Sequence, residues 1–115
     1  MVEVIVTDEL ATWYESLDQE EERSVARVVD VLAERGVALG FPYSTAIEGS
    51  SVALRELRIQ HQGRPLRVFY AFDPRRQAVL LIGGDKTGRD RFYDEMIPAA
   101  ERIWAEYLRE TGEGR

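Results

Sequence analysis

The sequence has 115 residues, which fits a single domain, and 44% of them are apolar, enough to form a buried core. It has no cysteine, which excludes disulfides and thiol chemistry, and only one histidine, which disfavours a zinc site, so we expect neither a metal nor a cofactor. The net charge is −6, and no membrane-spanning run or basic leader is visible, so we expect one cytoplasmic domain over residues 1–115.

The first third of the chain predicts a strand followed by two helices. The β-branched run Val2–Val6 is typical of a short strand. Apolar residues then recur at helical spacing over residues 10–17. Asp18 begins a second helix, because Glu21 stands three residues later as in a capping box, and Gly36 ends it. We interpret these two helices as a helical hairpin.

The middle of the chain predicts a sheet. Residues 37–51 show no clean period and predict an irregular connection. Three strand-like runs follow, separated by short turns: Ala53–Ile59, Leu66–Phe72 and Ala78–Gly84. Such closely spaced runs predict an antiparallel meander. The third run is continuously apolar, which predicts a strand buried on both faces.

The last part of the chain predicts a helix. Apolar residues keep a helical period from Phe92 to Tyr107, and Pro98 interrupts it, which predicts a kink or a fresh helix start. The element order is then β-α-α-β-β-β-α. This is an α+β fold with a mainly antiparallel sheet, an N-terminal helical hairpin and a C-terminal helix.

The charges are unevenly distributed along the chain. Residues 1–54 carry eleven acids and three bases, and residues 92–115 carry six acids and three bases. Residues 55–91 carry nine bases and four acids, a charge of +5. A basic middle segment in an acidic chain indicates an anion-binding face, and the alternative is that its arginines pair with the acidic helices.

Strand alternation places several arginines within the sheet. Arg67 shares a face with Phe69, and Arg58 lies on the opposite face from Arg55, unless a bulge before Leu57 shifts the phase. An arginine in a sheet is costly unless its face is open or its charge is paired. We therefore expect one face of the meander to be a partly open surface that bears arginines.

The segment after the third strand is expected to form the rim of that surface. Gly83 and Gly84 allow the chain to approach a neighbour closely, and Lys86 is the only lysine in the sequence. With Arg89 and Arg91 it forms a cluster that suits phosphate.

Aromatic residues near this cluster have two readings. Tyr70 and Phe92 could stack on bases, but core packing is favoured, whereas the two readings are balanced for Tyr93. His61 is expected to be an exposed residue of a hairpin loop rather than a proton-transfer group.

The stretch LRELRIQHQGRPLRVFYAFDPRRQAVLLIGGDKTGRDRFYDEMIPAAERIWAEY resembles the HigB branch of the RelE/ParE superfamily of bacterial toxins. That family shows an LxELR strand, an R-x-x-Y/F strand, an apolar strand leading into a K-T loop, and a helix with A-x-x-R. The matching elements here are Leu54–Arg58, Arg67–Tyr70, Val79–Ile82, Lys86–Thr87 and Ala99–Arg102. With the N-terminal strand and hairpin, the resemblance covers about residues 1–110.

The resemblance implies a toxin of a type II toxin–antitoxin system that cleaves mRNA on the ribosome without metal and inhibits translation. In such enzymes the ribose 2′-hydroxyl attacks the neighbouring phosphate, which needs a base, cations and an acid. Carried over by position, Arg67 would neutralise the phosphate, Lys86 would be a cation or base, and Tyr93 would stack or transfer a proton. The RNA-binding residues that it implies are Arg55, Arg58, Arg89 and Arg91.

The sequence departs from the family pattern in its charge and in two residue types. Its pI is near 4.8, whereas family toxins are commonly basic. It lacks a histidine near the C-terminal element, and Asp85 precedes Lys86 where a lysine pair is common. A chain of this charge would have to approach RNA through its basic face.

Two other functions stay open: a non-catalytic, ParE-like toxin that binds DNA gyrase, and an inactive module that docks an antitoxin. The partners implied are a cognate helix-turn-helix antitoxin of the HigA kind, the ribosome and mRNA. DNA binding would then come from the antitoxin and not from this chain. Phe41, Pro42 and Tyr43 could supply an apolar contact to the antitoxin.

Overall fold

The computed structural model describes residues 1–113 and shows a five-stranded sheet with helices on both faces. The predicted α+β class, with its N-terminal helical hairpin and C-terminal helix, is confirmed. No helix in the described part of the chain is long and apolar enough to cross a membrane. The elements are β1 (Val4–Val6), α1 (Asp8–Glu15), α2 (Gln19–Arg35), a short 3-10 helix (Gly36–Ala38), β2 (Ser44–Ala46), β3 (Arg55–His61), β4 (Arg64–Phe72), β5 (Ala78–Asp85) and α3 (Phe92–Thr111).

Side-chain hydrogen bonds fix where the two N-terminal helices begin. The Thr7 hydroxyl accepts a hydrogen bond from the Leu10 N–H at 3.2 Å. The Asp18 carboxylate accepts from the Glu21 N–H at 2.8 Å, and the Glu21 carboxylate accepts from the Asp18 N–H at 2.8 Å, so the predicted capping box is confirmed. Gly36 ends α2 with φ of 56°, a conformation that residues with a side chain rarely adopt.

The sheet has the strand order β1-β5-β4-β3-β2. Strands β3, β4 and β5 form the predicted antiparallel meander, and β1 pairs with β5 in parallel. Strand β5 is an interior strand buried on both faces, as its apolar sequence predicts. Strand β2 lies in the segment 37–51 that was expected to be irregular. Its three residues pair with β3 and are too few to show a period of two.

The sheet separates two apolar layers. Helices α1 and α2 pack on one face, which includes Leu57, and α3 packs on the other, which includes Leu54. Because helices cover both faces of the sheet, Leu54 and Leu57 are both buried although they lie on opposite faces. The alternation is therefore strict, and no bulge is needed between the two leucines. The register shift lies instead between β4 and β5, at Phe69 and Tyr70.

Helix α3 is a single helix that contains Pro98. Of the two predicted alternatives, a kink or a fresh helix start, the fresh start is therefore wrong. Pro98 is exposed, and the residues on both sides of it bury one continuous apolar stripe against the sheet, which holds the helix together where the proline removes a hydrogen bond. The buried residues of that stripe are Phe92, Met96, Ala100, Ile103 and Trp104.

The predicted close approach at the glycine pair is confirmed, and the neighbours are two helices. A β carbon at Gly83 would lie 2.3 Å from the ring of Trp13 in α1, and one at Gly84 would lie 2.9 Å from the ring of Phe92 in α3. Gly83 therefore lets α1 approach β5 closely, and Gly84 does the same for the first turn of α3.

Candidate functional site

Two arginines of the sheet lie side by side at the point where α3 stops covering it. Arg58 of β3 is directly opposite Arg67 of β4, and Arg67 is opposite Gly84 of β5. Phe69, two residues further along β4, is covered by the first turn of α3, with its ring centroid 6.0 Å from that of Phe92. The covered part of this face thus ends next to the two arginines.

Beyond that boundary the sheet face opens into a pocket of about 200 Å³. We call it the arginine pocket. It is lined by Arg58, Gln60 and Arg67 from the sheet, and by Phe41 and Pro42 from the turn before β2. Strand alternation predicted that one face of the meander would be an open surface that bears arginines. The open part is smaller than this, because Arg67 itself is only 4% exposed.

A buried carboxylate, that of Glu56, connects the charged residues of the site. Its Oε1 lies 3.5 Å from Nε of Arg67 and accepts a hydrogen bond from the Tyr93 hydroxyl at 2.8 Å. Its Oε2 accepts from the Thr45 hydroxyl at 3.0 Å and lies 3.9 Å from Nη1 of Arg58. Because Glu56 is only 5% exposed, these contacts hold Tyr93 and both arginines in a fixed arrangement.

The guanidinium of Arg67 has donor capacity that the protein does not use. Its Nη1 donates to the Leu66 carbonyl at 3.1 Å. Its Nε is the one buried side-chain nitrogen or oxygen within residues 1–113 that has no hydrogen-bond partner. The same Nε faces the Glu56 carboxylate at 3.5 Å, so its charge is compensated within the protein although no hydrogen bond is formed.

Tyr93 and Lys86 complete the cluster beside the arginine pocket. Burial, followed by the hydrogen bond to Glu56 and its charge, raises the pKa of the Tyr93 hydroxyl above its usual 10.0, although Arg67 opposes the shift. The hydroxyl therefore keeps its proton at neutral pH and can act as a donor. Nζ of Lys86 lies 5.1 Å from the centroid of the Tyr93 ring, a cation–π distance.

Arg55 is not part of this cluster. It lies on the opposite face of β3, where its Nε donates to the Ser44 hydroxyl at 3.0 Å. The Ser44 hydroxyl also shares a hydrogen bond of 2.5 Å with the Tyr70 hydroxyl. Of the three sheet arginines in the predicted site, the structure therefore brings only Arg58 and Arg67 together.

Arg89 and Arg91 lie at the start of α3 and contact acidic residues of its first turn. Arg89 forms an ion pair with Glu95. Nε of Arg91 is 3.8 Å from the Asp94 carboxylate, and its side chain is 81% exposed. The alternative reading of the basic segment, ion pairing with acidic helices, therefore describes these two residues.

The aromatic predictions are largely confirmed, and the one for His61 is wrong. Tyr70 and Phe92 are 0% and 1% exposed and belong to the core. His61 is 7% exposed, with Nδ1 at 2.7 Å from the Ser24 hydroxyl. It is the last residue of β3 and not part of the loop, because the connecting turn takes only two residues.

Sequence reasoning missed Glu56 and Gln60 as members of the site. Both share strand phase with Arg58, which was the available signal. Within residues 1–113, no three His, Asp or Glu side chains are grouped closely enough to hold a metal ion.

Comparison with known proteins identifies relatives of the chain. Residues 12–105 match the family described as Phage derived protein Gp49-like (DUF891). HigB2 of Mycobacterium tuberculosis (strain ATCC 25618 / H37Rv), which bears a toxin name, is 41% identical over 104 residues, covering 88% of this chain and 52% of HigB2. HigB3 of the same strain, also named as a toxin, is 38% identical over 101 residues, covering 86% of this chain and 87% of HigB3. The chain thus spans about half the length of HigB2 and most of HigB3.

Proposed function

The chain belongs to the Gp49-like (DUF891) family and to the HigB-type toxins, and on this basis we propose that it is the toxin of a toxin–antitoxin system that cleaves mRNA on the ribosome. The resemblance to HigB toxins inferred from its motifs is confirmed. In the proposed function, the partners are a helix-turn-helix antitoxin, the ribosome and mRNA, and the site of action is the cytoplasm.

The observation that carries this proposal is the state of Arg67. It is buried, it lies opposite Arg58, and both arginines line an open pocket. Arginine is suited to phosphate because its planar donors reach two oxygens at once. A phosphate of the RNA backbone placed in this pocket would lie against both guanidinium groups.

The proposed reaction breaks one phosphorus–oxygen bond and forms another. The 2′-oxygen of a ribose attacks the adjacent phosphorus, the bond to the 5′-oxygen breaks, and the products are a cyclic phosphate and a 5′-hydroxyl. Arg58 and Arg67 stabilise the negative charge that accumulates on the phosphate oxygens. Because the protein already holds these groups in place through Glu56, little reorganisation is needed when that charge develops.

Two protons must move in this reaction. The Tyr93 hydroxyl would donate a proton to the departing 5′-oxygen, although its raised pKa makes it a weaker acid than a free tyrosine. Lys86, which sits over the Tyr93 ring, would act either as the base for the 2′-hydroxyl proton or as a cation beside the phosphate. Glu56 would act as a positioning residue for Tyr93 and Arg67.

Expression in a bacterial host without the antitoxin tests this function. Growth and mRNA 5′ ends would be followed for the wild type, Arg67→Lys, Lys86→Ala and Tyr93→Phe. Arg27→Ala serves as the matched control, because Arg27 is an exposed arginine on α2, which packs on the other face of the sheet. We expect new mRNA ends and growth arrest with the wild type and the control. The three site variants should cut at least about a hundredfold more slowly.

The alternative functions give different outcomes of the same experiment. Growth arrest without new mRNA ends, accompanied by gyrase-dependent DNA damage, would contradict the nuclease and indicate a gyrase-binding toxin. Absence of both arrest and cleavage would indicate a module that only docks the antitoxin.

A further inference from the structure

Phe41 is a large apolar side chain that the fold leaves exposed to solvent. It is 78% exposed and lies in a turn that is hydrogen-bonded to β3. The Gly40 carbonyl accepts hydrogen bonds from the N–H groups of Tyr43 and Ser44, both at 3.1 Å, and the Tyr43 carbonyl accepts from the Arg58 N–H at 2.8 Å. Hydrogen bonds therefore fix the turn that carries Phe41, while the ring itself is exposed to solvent.

The Phe41 ring forms one wall of the arginine pocket. Cζ of Arg58 lies 5.8 Å from the ring centroid, and Pro42 continues the wall. Gln60 stands two residues beyond Arg58 on the same face of β3, and Arg67 closes the pocket from β4. An aromatic face, an amide with both a donor and an acceptor, and two cations therefore meet around one small space.

We propose that the arginine pocket is a nucleobase subsite. It takes one unpaired base of the RNA, stacked on Phe41 and hydrogen-bonded to the Gln60 amide, while the phosphate of that nucleotide lies on Arg58 and Arg67. Unpaired bases are commonly held by aromatic stacking, and a Gln amide can form paired hydrogen bonds to a base edge. The inference rests on the proposed function and adds to it the residues, Phe41 and Gln60, that recognise the base next to the cleaved bond.

The size and charge of the arginine pocket favour a nucleotide over a protein segment. Its volume of about 200 Å³ is below the range of about 300–1,000 Å³ that is usual for pockets holding drug-sized ligands, so it fits one ring system and not a helix. Its charged lining residues, Arg58 and Arg67, are both cationic, and the carboxylate of Glu56 that contacts them is buried. A nucleotide suits this lining because it carries a planar base and an anionic phosphate in a single unit.

Binding of short RNA tests the subsite without requiring cleavage. The probes are four trinucleotides that differ only in the central base and carry 2′-O-methyl groups on every ribose, so the 2′-oxygen cannot attack. The proteins are the wild type, Phe41→Leu and Gln60→Leu. Val37→Ala is the matched control, since Val37 is an apolar residue that is 62% exposed and does not line the arginine pocket.

We expect Phe41→Leu to weaken binding of every probe about 5- to 150-fold, because it keeps an apolar side chain but loses the stacking ring. Gln60→Leu should reduce the differences in affinity among the four probes, because it removes the hydrogen bonds to the base. Val37→Ala should bind as the wild type does. Phe41 and Gln60 contribute little to the core, so these variants should fold normally.

Three outcomes would overturn the subsite. Wild-type protein could fail to bind any of the probes, or Phe41→Leu could bind them as tightly as the wild type. Phe41→Leu could also bind them normally but lose affinity for the antitoxin, which would assign the ring to a protein interface. A different outcome would refute the proposed nuclease alone: wild-type protein would bind the probes through Phe41 and yet cut no mRNA in cells.

Discussion

Replacing Glu56 with alanine tests the charge arrangement of the site through protein stability. Glu56 and Arg67 are 5% and 4% exposed, and their closest atoms are 3.5 Å apart. Removing one partner of a buried ion pair leaves the other charge uncompensated and costs about 3–5 kcal/mol. A domain of this kind has about 5–15 kcal/mol of unfolding free energy, so Glu56→Ala should lose roughly a fifth of it or more.

Urea unfolding of a mutant cycle measures this effect. Glu56→Gln keeps an oxygen that can accept from Tyr93, so combining it with Arg67→Gln isolates the charge interaction. We expect the two Gln substitutions to be coupled by more than about 1 kcal/mol, because the residues are in contact. Glu48→Ala, an exposed carboxylate, should change stability by less than about 0.5 kcal/mol. A similarly small effect of Glu56→Ala would refute the buried pairing on which the site is built.

Three further predictions concern the scaffold. Gly83→Ala places a β carbon 2.3 Å from the Trp13 ring and should lower the unfolding free energy by about 1–3 kcal/mol through overpacking; a wild-type urea midpoint would contradict this. Asp18→Ala removes the cap of α2 and should cost about 0.5–2 kcal/mol in the same assay, whereas no loss would show that the cap is dispensable. Burial, followed by the hydrogen bond to Asp73, raises the pKa of Tyr107 to about 12. Ultraviolet titration should show this ionisation, and Asp73→Asn should move it toward 10.0. The stability that the raised pKa represents is complete below pH 10 and is lost as the pH rises through about 12, so a titration unchanged by Asp73→Asn would contradict the assignment.

Features set by neighbouring residues could be predicted from the sequence. The capping box at Asp18 depends on two side chains three residues apart, and the structure contains it. Alternation along β3 correctly separated Arg55 from Arg58, because a period of two depends only on local geometry. The glycine pair was recognised as a point of close approach, although the sequence did not show that Trp13 and Phe92 are the neighbours.

Features set by contacts between distant residues could not be predicted. Glu56 is a site residue because β3, β4 and α3 bring Arg67 and Tyr93 to its carboxylate, and no local pattern encodes that meeting. Strand β2 exists because β3 offers it an edge, not because its three residues have a strong strand preference. His61 is buried because the turn after it is tight and Ser24 of α2 lies opposite its ring.

The basic segment of the chain contains arginines that pair with acids and other arginines to which the proposed function assigns RNA. Three arginines of the segment outside the site are paired with acids: Arg64 with Glu21 and Asp85, Arg89 with Glu95, and Arg91 with Asp94. The exposed pairs of Arg89 and Arg91 add little stability, but together these contacts cancel part of the local positive charge. The cations that remain around the arginine pocket are Arg58, Arg67 and Lys86, so few phosphate contacts are available and RNA affinity should depend only weakly on salt. Under the proposed function, discrimination among RNA sites would then come from contacts within the pocket, because a chain with a net charge of −6 has little general attraction for RNA.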